Sequence, residues 1–179
     1  MFNQLTVIIT LFKTPKDRLI KLNELKGIKI IIFNQENSHN FNELKKIFKF
    51  KFKHISSKKN IGFSKATNIL ISKVKTKYFL FTQADISINK KSIKYLLTEI
   101  KKNKKIIFAG PNFKSNSKLI DKVIEKKYLN AACMVCDTKK VNKLKFFDED
   151  YFLYWNDEDL MERVNQSPYK MVQVLKAKA

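Results

Sequence analysis

The chain of 179 residues suits one domain, and 44% apolar with 12% aromatic residues suffices for a buried core. Three glycines, three prolines and two cysteines exclude collagen-like, linker-like and disulfide-stapled classes. The net charge of +21 points to a polyanionic partner, but of 37 basic residues only Arg18 and Arg163 are arginine, so the basicity reads as compositional drift more than as nucleic-acid recognition.

Strand and helix patterns alternate along the chain. Leu5–Leu11 reads as a buried strand. Leu19, Leu22 and Leu25 then fall at helical spacing, with Pro15 near the start and Gly27 as a stop. Ile28–Phe33 is a second strand, Asn40–Phe48 a short helix and Phe50–Ile55 a short strand. Phe63, Ala66, Leu70 and Val74 mark a helix. Tyr78–Thr82 (YFLFT) is apolar throughout and reads as a central strand. Ile93, Leu96, Leu97 and Ile100 form one helical stripe, and Lys105–Ala109 is another strand. Past residue 111 a polar loop leads to an apolar stretch, Tyr128–Cys136. An acidic segment, a helix over Trp155–Val164 and a strand near Lys170–Leu175 follow. This order predicts an α/β sheet flanked by helices, in one domain. Ligand sites in such sheets lie at the carboxyl ends of strands, here just after Leu11, Phe33, Thr82 and Cys136.

The acids are few and therefore informative. From Leu44 to Thr98 there is one, Asp85, directly after the central strand. A carboxylate there can hold a divalent cation that also binds phosphate oxygens. It can equally be a turn or N-cap aspartate for the helix near Ser92. Seven of the sixteen acids fall between Asp148 and Glu162, with no lysine or arginine before Arg163. Phe147, Tyr151, Phe152, Tyr154 and Trp155 interleave with them. Aromatic faces beside carboxylates suit sugars, and a carboxylate could take a proton from a hydroxyl. The structural alternative is an apolar loop pinned to the core, with the acids offsetting lysines.

Other chemistry is poorly supported. Cys133-Met134-Val135-Cys136 is one C-x-x-C without a second pair, and on a strand its thiols face opposite sides. Neither a G-x-G-x-x-G after the first strand nor a P-loop is present. His39 and His54 lie in lysine-rich, surface-like segments. The longest uncharged run, residues 1–12, is short of the ~20 residues of a membrane span. The expected location is cytoplasmic, with lysines able to hold the chain loosely on an anionic inner membrane face.

Several segments together resemble family 2 glycosyltransferases with the GT-A fold, especially the rhamnosyltransferase-like branch. Asn60-Ile61-Gly62-Phe63-Ser64-Lys65-Ala66-Thr67-Asn68 is similar to that family's N-x-G-F-x-x-A-x-N. Gln83-Ala84-Asp85 falls at its metal-binding D-x-D or N-P-D element. Phe147-Asp148-Glu149 with Tyr151-Phe152-Leu153-Tyr154 resembles F-D-E-x-F-F-x-Y. Trp155-Asn156-Asp157-Glu158-Asp159-Leu160 resembles W-E-D-x-D-L. Ala131-Ala132-Cys133-Met134 is similar to a small-residue strand beneath the donor sugar, and Arg163 stands where the family often has arginine.

The resemblance implies a GT-A nucleotide-diphospho-sugar transferase fold, Rossmann-like, with a mostly parallel sheet. It implies a donor-binding part over about 1–112 and an acceptor and catalytic part over about 113–179. The implied activity is inverting, metal-assisted transfer of a hexosyl or rhamnosyl group from a nucleoside diphosphate-sugar to a cell-envelope or polysaccharide glycan, free or lipid-linked. Asp157 would be the base and Asp85 the ligand of Mg²⁺ or Mn²⁺. Thr10, Asn34, Asn60, Gly62, Asn68, Gln83, Ala84 and Asp85 would contact the nucleotide-sugar. Tyr154, Trp155, Asn156 and Asp159 would contact the acceptor. Three departures stand out. Ile32-Phe33-Asn34-Gln35-Glu36 replaces V-D-N-x-S, with Phe33 at the base-reading aspartate and Asn34 or Gln35 as substitutes. Asn156 replaces one acid. The chain stops soon after Val174, without the family's later histidine, which implies a missing C-terminal part. The alternative is a catalytically impaired domain that binds a glycan or a partner.

Overall fold

The computed structural model describes residues 1–113 and 121–179, so part of the polar loop expected after residue 111 lies outside the described residues. The strands are β1 (Leu5–Leu11), β2 (Lys29–Asn34), β3 (Lys53–Ser56), β4 (Tyr78–Thr82), β5 (Ile106–Asn112), β6 (Val123–Lys126), β7 (Cys133–Asp137) and β8 (Lys170–Lys178). The helices are α1 (Lys16–Lys21), α2 (Phe41–Ile47), α3 (Phe63–Ser72), α4 (Lys90–Lys102), α5 (Thr138–Leu144) and α6 (Asn156–Asn165). One eight-stranded sheet runs β3-β2-β1-β4-β7-β5-β8-β6. Strands β3, β2, β1 and β4 are parallel to one another, as are β5 and β8; β7 and β6 run against their neighbours.

Strand alternation builds two cores. Val7, Ile9 and Leu11 point into one layer with Leu19, Leu44 and Leu96, from α1, α2 and α4. Ile8, Phe79 and Phe81 point into the other with Leu70 and Leu160, from α3 and α6. Burial on both faces explains why these strands read as continuous apolar runs. Cys133 and Cys136 fall in opposite layers, as their spacing requires. Both thiols are free and buried; desolvation pushes Cys133 up to about 12 and Cys136 well above its ordinary value, so both stay protonated.

Side chains set the helix starts. Asn40 accepts from the Asn42 N–H at 2.8 Å, Asn89 from Ser92 at 2.9 Å and Asp137 from Lys140 at 3.1 Å. The cap of α4 is thus Asn89, which removes the capping role as an explanation for Asp85.

Four features differ from the sequence reading. The helix expected through Leu25 ends at Lys21, and Leu22–Leu25 tightens into a 3-10 turn. The strand expected over Phe50–Ile55 begins at Lys53; Phe48 and Phe50 instead stack on each other, and Phe52 meets both edge-to-face. Strand β6 is a four-residue edge piece, mostly exposed, and α5 buries only Thr138 and Val141, so neither has a clear hydrophobic period. The fourth concerns the expected site after Cys136. Because β7 is antiparallel, Asp137 pairs with Tyr78, at the far end of the sheet from Thr82. An apolar run has no direction of its own, and only its pairing supplies one.

Candidate active site

A cavity of about 760 Å³ opens at the carboxyl ends of β1, β2 and β4. Thr10 and Phe12 line it from the end of β1, Gln35 from beyond β2, and Gln83, Ala84 and Asp85 from beyond β4. Asn130, Ala131 and Ala132 enter from the start of β7, fixed by the Gln83 N–H donating to the Ala132 carbonyl at 2.9 Å. Phe152, Leu153, Tyr154, Trp155, Asn156 and Asp157 supply the remaining wall.

That wall is held by specific contacts. Gly62 adopts φ +87°, and a Cβ there would stand 2.9 Å from the Phe152 ring and 3.0 Å from its carbonyl. The lack of a side chain lets the Phe63 N–H donate to the Phe152 carbonyl at 2.7 Å. The close approach made at Gly62 is therefore that of the aromatic loop, and Gly62 itself does not line the cavity. Buried Asn156 donates through Nδ2 to Ser64 Oγ at 2.9 Å, and Ser64 donates to the Tyr151 carbonyl. Asn68 clamps the loop's base: Nδ2 donates to the Phe147 carbonyl at 2.8 Å and Oδ1 accepts the Phe147 N–H at 3.2 Å. Arg163 donates to the carbonyls of Leu144, Lys145 and Phe146 and pairs with Asp159 at 2.7 Å. Asn68, Asp159 and Arg163 thus anchor the wall from outside the cavity.

The acidic aromatic segment divides in two. Phe146 and Phe147 are core residues beneath the loop, packed edge-to-face or tilted against Phe63, Phe79 and Phe81. Phe152, Leu153, Tyr154 and Trp155 stay exposed at the cavity. None of the seven acids forms an ion pair with a lysine among the described residues; the one pair is Asp159 with Arg163. Trp155 holds φ +67°, a left-handed conformation that a bulky residue adopts at a cost of about 1–3 kcal/mol and that recurs at functional sites.

The opposite wall is a pair of interlocked loops. Asn34 is buried, donating to the His39 carbonyl at 2.7 Å and accepting from Ser38 at 2.9 Å, so its amide does not reach the cavity. His39 Nε2 accepts the Thr14 N–H at 3.1 Å, joining the β2 loop to the β1–α1 connection. Burial holds His39 below the ordinary histidine value, with Glu43 acting weakly the other way, which suits a neutral ring whose Nε2 is an acceptor. Phe33 lies in the core, and Gln35 is the residue from this segment at the cavity. Its Oε1 accepts from Ile61 N at 2.9 Å, beside cavity-lining Asn60.

Charge is segregated within the cavity. Lys13 comes from the β1–α1 connection and Arg18 from α1, while Asp85 lies just beyond β4 and Asp157 at the start of α6. Among the described residues, neither the Asp85 nor the Asp157 side chain takes part in a hydrogen bond or an ion pair. Asp157 stands in the first turn of α6. The Thr10 hydroxyl is buried and has no partner among the described residues. Unpartnered carboxylates, an unsatisfied hydroxyl and cations around one cavity make a place for a polar, anionic ligand.

Residues 7–163 match the family described as Glycosyl transferase family 2. The chain belongs to that family. No curated protein sequence matches it. Solved glycosyltransferases share its fold. The mannosyltransferase PcManGT from Pyrobaculum calidifontis, in complex with GDP-Man and Mn²⁺, superposes with TM-score 0.77 at 9% identity over 98% of this chain and 56% of its own. GalNAc-T7 with UDP, GalNAc and Mn²⁺ gives 0.74 at 11% identity, over 98% and 43%. S. aureus TarS, residues 1–349, gives 0.70 at 12% identity, over 98% and 60%. The chain therefore spans about half the length of these proteins, and at such identities the likeness establishes the GT-A fold alone. Among the described residues no helix is long and apolar enough to cross a membrane.

The family implies a divalent cation, and the donor set can be tested against it. No cluster of three His, Cys, Asp or Glu side chains that could hold a metal exists among the described residues. Mg²⁺ usually takes one or two carboxylates together with substrate phosphates. Exposed, unpartnered Asp85, with Gln83 beside it, fits that shared mode. Lys13, Arg18, Asn130 and Phe12 carried no motif; proximity in the sequence to the end of β1 was the only signal for three of them, and Asn130 had none.

Proposed function

We propose that this domain transfers a sugar from a nucleoside diphosphate-sugar to a hydroxyl of a glycan acceptor, with inversion at the anomeric carbon. The observation that carries this reading is the pair of unpartnered carboxylates, Asp85 and Asp157, lining one cavity with exposed aromatics and two cations. Thr10, Gln35 and Asn60 line the nucleotide side, with the Gln35 amide in the place of the absent aspartate. Lys13 and Arg18 offer positive charge to the diphosphate, Arg18 with a planar fork suited to phosphate oxygens. Asp85, with the Gln83 side chain near it, would hold Mg²⁺ or Mn²⁺, which when bound neutralises charge on the leaving diphosphate.

Tyr154 and Trp155 present ring faces to the acceptor sugar. Asp157 accepts the acceptor's hydroxyl proton as the oxygen attacks the anomeric carbon and the bond to the diphosphate breaks. The acceptor class inferred is a cell-envelope or polysaccharide glycan, reached from the cytoplasmic side, with surface lysines able to meet an anionic membrane.

Calorimetric titration with UDP, dTDP and GDP, each with and without Mn²⁺, tests the donor half. One nucleotide is expected to bind, with a Mn²⁺-dependent component that disappears in Asp85→Ala. Binding of none by the folded chain overturns the reading in favour of a domain that binds a glycan or partner without transfer. Nucleotide binding with unchanged Mn²⁺ dependence in Asp85→Ala removes Asp85 as the metal ligand.

A further inference from the structure

At the far end of β4 lies a second cavity, of about 850 Å³, formed by Tyr78, the end of α4 and the segment from Asp137 into α5. Seven of its fourteen lining residues are lysines. The donor cavity, with twenty-three lining residues, has one. Lysine makes up about a fifth of the chain, 35 of 179 residues, so composition alone does not account for the enrichment.

Among the described residues, Asp137 is the only acid lining this cavity, and it is already engaged. Lys140 Nζ donates to Asp137 Oδ2 at 3.1 Å and to the Ile106 carbonyl at 2.7 Å. The other six, Lys75, Lys77, Lys101, Lys104, Lys139 and Lys143, are exposed and form no ion pair among the described residues. Two of them are gathered on one ring: Lys77 Nζ lies 5.4 Å and Lys101 Nζ 5.7 Å from the centre of buried Tyr78. The ring's negative face offsets part of their mutual repulsion and holds both ammonium groups at the cavity wall. Among the described residues lining the cavity, no further carboxylate is left to neutralise the rest.

We propose that this cavity binds a phosphate-bearing polyanion, as a site separate from the donor cavity. Several uncompensated cations gathered around one concavity attract multiple negative charge more than a single one. The volume falls within the roughly 300–1,000 Å³ of small-molecule sites, enough for a chain of phosphates or a phosphorylated headgroup. Lysine ammonium groups are mobile point charges, and they suit a ligand with several phosphate oxygens and no fixed planar geometry. The same chemistry is offered by a free polyphosphate and by an anionic lipid headgroup.

The test uses inorganic tripolyphosphate by calorimetry at low salt, and co-sedimentation with phosphatidylcholine vesicles with or without phosphatidylglycerol. The variant carries Lys101→Gln, Lys104→Gln and Lys139→Gln, all at exposed positions. A control carries Lys21→Gln, Lys26→Gln and Lys46→Gln, an equal loss of charge from outside either cavity. The cavity variant is expected to weaken tripolyphosphate binding by at least about tenfold, at the scale of three lost lysine–anion contacts. The control and Arg18→Ala are expected to leave that binding within about twofold, well below a tenfold change. Loss of vesicle binding in the cavity variant alone assigns the ligand to a lipid; tripolyphosphate binding without vesicle binding assigns it to a soluble phosphate. No binding of either probe, or equal weakening in the control, overturns the proposal, as does loss through Arg18→Ala alone, which would place tripolyphosphate in the donor cavity. Nucleotide binding is measured on the same variants, so failure here is distinguishable from failure of the donor site.

Discussion

The two ends of β4 carry two different kinds of surface. At the Thr82 end, loops from four parts of the chain are locked together by buried amides, a histidine and an arginine, and strained residues such as Trp155 line the cavity. At the Tyr78 end, exposed lysines surround a cavity with few side-chain hydrogen bonds across it beyond Lys140 and the two threonines, Thr76 and Thr138. The first surface fixes groups in place, as bond-making chemistry demands. The second offers charge without fixed geometry, which supports attraction but not orientation. The difference teaches that charge alone does not locate the reactive site in this chain; the scaffold behind the charge does.

The largest expected effect breaks the comparison at its reactive end. Asp157→Asn keeps shape and removes the proposed base, so transfer to an acceptor should fall about 10²–10⁴-fold while nucleotide binding is kept. Normal turnover in that variant would remove Asp157 as the base. Next, Gly62→Ala places a Cβ against Phe152 at a left-handed φ, and should cost about 1–3 kcal/mol in unfolding free energy. Its nucleotide or acceptor binding should suffer through displacement of the 151–155 wall, and denaturant melts beside titrations check both. Asn68→Ala leaves the Phe147 N–H and carbonyl unpaired and should cost a further, smaller amount, about 1–2 kcal/mol. Unchanged stability would show that the clamp is not needed.

The smallest effect sharpens the comparison. Burial lowers the His39 value in the folded chain, so the unfolded chain takes up the proton first. The stabilising contribution is complete above the ordinary value of 6.5 and is lost as the pH falls below it toward the folded value. Protonation also removes the acceptor for Thr14, loosening the wall that carries Lys13. Nucleotide affinity should therefore drop modestly below that pH, and the drop should be reduced in His39→Gln, which keeps an acceptor without a charge change in this range. A pH profile that is the same in both proteins would dismiss the histidine link.

Much of the β1–β4 half was legible along the chain. β1, β2 and β4 are buried on both faces, so their apolar runs are long and their ends are sharp, and Asp85 follows directly from the end of β4. The N-x-G-F-x-x-A-x-N segment was legible as a motif, yet the contacts of its side chains were not. Gly62 and Asn68 make theirs with Phe152 and Phe147, roughly eighty to ninety positions away, and no local pattern encodes such a pairing. Asn34 and Gln35 show the same limit. They are adjacent in the chain, but the turn after β2 ties one amide to His39 and brings the other to the cavity.

By itself the sequence determined the α/β alternation, the burial of the central strands and the concentration of acids and aromatics in one segment. These are local quantities, set by side-chain period and composition. The tertiary structure alone decided the direction of β7, the division of the 146–155 segment into core anchor and cavity wall, and the gathering of six lysines, without an ion pair among the described residues, at the end of β4 opposite the Asp85 cavity. Each of these depends on which distant backbone hydrogen bonds form, and strand pairing is fixed by the packing of both layers at once, not by any one stretch of chain.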